Sequence, residues 1–123
     1  MFTGRSTDEN AGDFGRPGLL VTPDSIVARF RTALDAAYGD RLGRVVLYGS
    51  RARGDANPDS DYDIAVFLRD MGDRWTEVKR LASIETDILT DTGELVHAMP
   101  FRMGAWNDRT PLMREIRIEG IDV

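Results

Sequence analysis

The chain has 123 residues, a formal net charge of −5, no cysteine, 41% apolar and 30% charged residues, the profile of one soluble globular domain rather than two. Without cysteine there is no thiol nucleophile and no zinc–thiolate centre, and 21 acidic against 16 basic residues argue against a protein whose main work is holding a nucleic-acid backbone. No apolar run approaches the roughly 20 residues of a membrane span, and Met1 to Leu20 lacks the apolar stretch of a signal peptide, so the expected location is the cytoplasm.

Residues 1–20, with Gly4, Gly12, Gly15, Pro17 and Gly18 among small polar and acidic residues, predict a flexible tail, and the folded domain is expected over 21–123. Thr22 and Pro23 form a cap and a first-turn proline, and Ile26, Val27, Phe30, Ala33, Leu34, Ala37 and Tyr38 recur at helical spacing up to Gly39. Arg44 to Tyr48 is short, β-branched at its centre and reads as a buried strand. Gly49 to Ser60, rich in Gly, Asp, Asn and Pro, is a loop with room for one helical turn around Ser50 to Arg53. Asp61 to Leu68 alternates as a second strand, with Ile64, Val66 and Leu68 on one face and Asp61, Asp63 and Ala65 on the other. A helix is expected from Asp73 to Leu89 with Trp75, Val78, Leu81, Ala82, Ile88 and Leu89 along its apolar stripe, broken by Gly93. Glu94 to Phe101 predicts a third strand ended by Pro100, and Thr110 with Pro111 opens a last helix carrying Leu112, Met113 and Ile116 before Gly120.

The chemistry concentrates in Leu47 to Leu68, LYGSRARGDANPDSDYDIAVFL. Gly49 and Ser50 stand where a buried strand gives way to a turn; glycine lets a phosphate approach the backbone, and free amides with the Ser50 hydroxyl can donate to its oxygens. Arg51 and Arg53 are charge partners beside it. The P-loop and dinucleotide patterns GxxxxGK[ST] and GxGxxG occur nowhere in the chain. Further along, Asp61 and Asp63 are two apart on a strand and so emerge on one side, an arrangement that repels unless a cation or water screens it, and that suits Mg²⁺. Taken alone, such a pair also fits a solvated strand face.

Together these elements resemble the minimal nucleotidyltransferases of the DNA polymerase β superfamily, whose signature is similar to GSxARGxxxxxSDxDxxV. Gly49, Ser50, Ala52, Arg53, Gly54, Ser60, Asp61, Asp63 and Val66 match it in register. The resemblance implies an α/β fold of the α+β type, a small mixed sheet with helices packed on one face and the site at the other. It implies transfer of a nucleoside monophosphate, AMP from ATP, to a hydroxyl with Mg²⁺ as cofactor. Gly49, Ser50, Arg53 and Ser60 would lie at the nucleotide and Asp61 and Asp63 at the metal. Arg53 either contacts phosphate or fixes the loop through a carboxylate such as Asp61 or Asp55. A third carboxylate that the family carries on a later strand has Glu94 as its candidate, with His97 on the opposite strand face as the other group to consider. Since 60 residues follow Asp63, the resemblance points to the stand-alone branch, commonly paired as antitoxin with a HEPN-domain ribonuclease toxin that in some cases it adenylylates on a tyrosine. A degenerate member that silences its partner by binding alone is the alternative.

Overall fold

The computed structural model describes residues 23–123; the tail expected over 1–20 and the domain start at 21 lie outside them. In chain order the elements are α1 (Pro23–Tyr38), a 3₁₀ turn (Gly39–Arg41), β1 (Leu42–Tyr48), α2 (Ser50–Arg53), β2 (Tyr62–Leu68), α3 (Arg74–Thr92), β3 (Val96–Arg102), a second 3₁₀ turn (Met103–Asn107), α4 (Pro111–Glu119) and β4 (Ile121–Asp122). The four strands form one mixed sheet in the order β3-β2-β1-β4, in which β2 runs antiparallel to β1 and parallel to β3.

Strand alternation divides the core into two layers. Ile64, Val66 and Leu68 join Val45, Leu47 and Val96 beneath α1 (Ile26, Phe30, Leu34) and α3 (Leu81, Ile88). Ala65 and Phe67 turn the other way and pack with Val46, Tyr48, Met113 and Ile116. The mixed α/β architecture is the expected one, and α4 additionally covers part of the second face. That face remains accessible at the Asp63 end, where His97 of β3 is 62% exposed.

Two local expectations are corrected by packing. The stripe of α3 does not include Trp75 or Leu89, which are exposed at 64% and 43%; the inward position one turn before Leu81 belongs to Glu77, a buried carboxylate held by Arg41 and Arg80. Pro100 sits inside β3 instead of ending it, because β3 is an edge strand and the missing N–H falls on the side without a neighbour. The chain also forms a short strand after Gly120, β4, paired with β1.

The outer edge of β3 is closed by side chains. Glu85 Oε2 accepts from the Ala98 N–H at 2.8 Å, and Arg74 Nη1 donates to the Pro100 carbonyl at 2.8 Å, so the edge offers little for another strand to pair with. These contacts fix the strand that carries His97. Glu85→Ala is expected to cost about 1–3 kcal/mol, the penalty for stranding a partly buried amide; an unchanged urea midpoint would contradict it.

Candidate functional site

The site starts from one turn. After β1 the chain bends at Gly49 with φ +74° and ψ −156°, a backbone conformation essentially restricted to glycine. A second constraint acts at the same atom, since a Cβ at Gly49 would stand 2.6 Å from Asp63 Oδ2. The antiparallel register brings this about by placing Asp63 opposite Tyr48. The Gly49 carbonyl accepts from Ala52 and Arg53 at 3.1 and 3.0 Å, which leaves the Ser50 and Arg51 N–H groups without an intrahelical acceptor, as at any helix start. N–H groups without an intrahelical acceptor and a carboxylate therefore share one bend.

Asp63 is the electrostatic centre. Its side chain is 33% exposed, and its Oδ1 lies 3.6 Å from His97 Nδ1, as the parallel register of β2 with β3 requires. Burial holds its pKa above the ordinary carboxylate value; His97 opposes that shift, Asp61 adds to it and Arg53 lowers it. Because the folded pKa is raised, Asp63 favours the fold below its unfolded pKa and loses that contribution as pH rises through the folded one. At neutral pH the ionised Asp63 is thus a cost to the native state, one that a cation would relieve. Burial and the Asp63 charge also raise the neighbouring Tyr48 phenol.

Mg²⁺ fits this donor set. It takes oxygen ligands and is commonly held by one or two carboxylates with substrate phosphates and water completing its shell. Exposed Asp61 and half-buried Asp63 provide the carboxylates, and the Gly49 bend leaves no Cβ in the way. Among the described residues, no three His, Cys, Asp or Glu side chains converge closely enough to hold a metal without a ligand's help.

The fold thus brings together Gly49, Ser50, Asp61 and Asp63, with Arg53 near enough to act on the Asp63 charge, while the other sequence candidates make their direct contacts elsewhere. Ser60 Oγ accepts from the Asn57 N–H at 3.0 Å within its own turn. Arg53 makes the loop-fixing contact, donating to Asp55 Oδ2 and Glu119 Oε1, each at 3.1 Å. Glu94 precedes β3 and lies 3.9 Å from Arg51 Nη2; the strand neighbour of Asp63 is His97. Alternation separates Glu94 from His97, but only register shows which one meets Asp63. A cavity of about 470 Å³ lined by Val27, Leu47, Arg51, Tyr62 and Val123 lies on the α1 face, away from Asp63. No helix among the described residues is long and apolar enough to cross a membrane.

A family model described as the nucleotidyltransferase domain matches residues 27–119. A candidate protein adenylyltransferase of Methanocaldococcus jannaschii is 37% identical over 46 residues, 37% of this chain and 46% of the relative, so the match spans less than half of that protein. Among solved structures, a candidate minimal nucleotidyltransferase superposes with TM-score 0.55 at 22% identity, covering 89% of this chain and 99% of that one. A toxin–antitoxin complex with AMP-PNP gives TM-score 0.54 at 18% identity, over 82% and 72% of the two chains. These structural likenesses establish the fold.

Two substitutions test the geometry. Gly49→Ala forces a non-glycine residue into a positive-φ bend and against Asp63, and should cost about 1–3 kcal/mol from backbone strain alone, read as a lowered denaturant midpoint. Asp63→Asn removes the ionisation penalty and should raise the thermal midpoint at pH 7, with a smaller gain toward acid pH; a lower midpoint at pH 7 contradicts the electrostatic account.

Proposed function

The chain belongs to the nucleotidyltransferase domain family, and from that premise we propose that it transfers AMP from ATP to a hydroxyl acceptor with Mg²⁺ as cofactor. The acceptor in this reading is a tyrosine of a HEPN-type toxin, for which the chain is the antitoxin. The observation that carries the proposal is the contact of Asp63 with Gly49, which makes the carboxylate and the amide donors a single unit. The relative described as a candidate protein adenylyltransferase and the fold shared with a toxin–antitoxin complex containing AMP-PNP support a nucleotide and a protein acceptor.

In the proposed reaction the acceptor oxygen bonds to the α-phosphorus, the bond from that phosphorus to the bridging oxygen breaks, pyrophosphate leaves, and the hydroxyl proton passes to a base. The Ser50 and Arg51 N–H groups and the Ser50 hydroxyl hold the departing phosphates. Mg²⁺, when bound by Asp61 and Asp63, neutralises triphosphate charge and makes the α-phosphorus a better electrophile. His97 is the base: its Nδ1 faces Asp63, which leaves Nε2 to take the proton. Glu94, beside Arg51, is outside this step.

One observation favours the binding-only alternative: β3 presents an imidazole, not a third carboxylate, next to Asp63. Incubation with ATP labelled at the α-phosphate, Mg²⁺ and the HEPN partner separates the two. The enzymatic reading expects label on the partner, its loss in Asp63→Asn, a fall of about 10²–10⁴-fold in His97→Ala and a wild-type level in Glu94→Gln. No label despite a stable complex would assign the binding-only role.

A further inference from the structure

We propose that Arg51 is a positioning residue that holds the Ser60–Asp61–Tyr62 bend at a fixed distance from the Gly49–Ser50 turn, so that carboxylates and amides are set relative to one another before any ligand arrives. The inference rests on the nucleotide site proposed above and deepens it. An arginine directly after Ser50 is well placed in sequence to grip a phosphate, yet its side chain turns into the fold and is only 12% exposed. Its Nη2 donates to the Ser60 carbonyl at 2.9 Å, its guanidinium lies 4.3 Å from the centroid of the Tyr62 ring, and Glu94 Oε1 is 3.9 Å away. Its Nε is buried with no partner.

These contacts reach the residues just before Asp63, beyond the Tyr48–Asp63 end of the β1–β2 pairing. The loop between α2 and β2 closes mainly on itself, through Ser60 N–H to the Asn57 carbonyl and Asn57 N–H to Ser60 Oγ, both 3.0 Å, and Asp59 N–H to Asn57 Oδ1 at 2.9 Å. Asp61 is exposed and precedes the first residue of β2. Its place is therefore set by its neighbours Ser60 and Tyr62, the two residues that Arg51 engages. Tyr62 belongs to the α1 and α3 layer, so Arg51 acts from behind the sheet while Asp63 faces the other side. Glu94 then has a role as counter-charge to a largely buried guanidinium. A planar, multi-donor cation can stack on the ring and reach the carbonyl at once, which an ammonium does not reproduce.

The test uses the full chain with Arg51→Met and Arg51→Lys, in two measurements. Without ligand, amide exchange at Tyr62, whose N–H bonds to the Leu95 carbonyl at 3.0 Å, should quicken about tenfold in Arg51→Met as the bend opens more often. Calorimetry with AMP-PNP should show metal-free affinity within about twofold of the unsubstituted chain and a Mg²⁺-dependent gain in affinity cut about tenfold, because the donors no longer converge. Arg51→Lys should fall between the two in both measurements, and it decides the matter if Arg51→Met does not fold. Unchanged exchange and an unchanged Mg²⁺ gain overturn the proposal. So does a loss of metal-free affinity that lysine restores, since the Arg51 side chain, and not its N–H alone, would then be a phosphate ligand. If the unsubstituted chain takes up no AMP-PNP with Mg²⁺, the nucleotide site itself fails, while the ligand-free exchange still decides whether Arg51 clamps the bend.

Discussion

The carboxylate of Asp63 occupies space beside Gly49 that any other residue would fill with its Cβ. Much of the local design follows from that contact. It requires glycine at the end of β1, an antiparallel register that sets Asp63 against Tyr48, and a helix starting at once so that free amides lie next to the acid. It also has a thermodynamic consequence, because a half-buried charge is held where the imidazole of His97, 3.6 Å away, and the more distant Arg53 offset its burial only in part. The strand that carries it is anchored by Ile64 to Leu68, all fully buried, so the surrounding core offsets the strain.

A second buried carboxylate gives the contrast. Glu77 is 3% exposed and is paired with both Arg41 and Arg80; Tyr38 lies against the same group, its phenol pushed up to about 12 by burial and by the Glu77 charge. That acid is compensated on both sides, and it pins α3 to the start of β1 at the end of the sheet away from Gly49. Asp63 is only partly compensated, by His97 and Arg53, at the accessible end of the second sheet face. An incompletely compensated acid in such a place is a common mark of a binding or catalytic group, whereas a doubly paired one is structural.

The sheet's two faces divide the labour. The face under α1 and α3 supplies most of the core and, through Arg51, Tyr62 and Glu94, braces the bend from behind. The other face presents Asp63 and His97 and is closed further along by Met113 and Ile116. Much of this was legible in the sequence. Period-two alternation over Ile64 to Leu68 told the faces apart, Gly39 and Gly93 marked helix ends, and Thr110 caps α4 by accepting from the Met113 N–H. The Gly-Ser bend and the acid pair were legible because their spacing is local. What failed to show depends on distant partners. Nothing near Pro100 reveals that β3 lies at an edge, no propensity announces a two-residue strand after Gly120, and the choice between Glu94 and His97 turns on a register set across the sheet. The inward turn of Arg51 depends likewise on Tyr62 and Ser60, nine or more residues away in the chain.

The central claim, that the Asp61 and Asp63 carboxylates and the Gly49–Ser50 turn form one receptacle for a divalent cation and a triphosphate, is tested most directly by anomalous diffraction from crystals grown with Mn²⁺ and AMP-PNP. The account predicts a manganese peak shared by Asp61 and Asp63, with the terminal phosphates against the Ser50 and Arg51 amides. Ordered nucleotide elsewhere on the chain, or manganese away from Asp63, would contradict it.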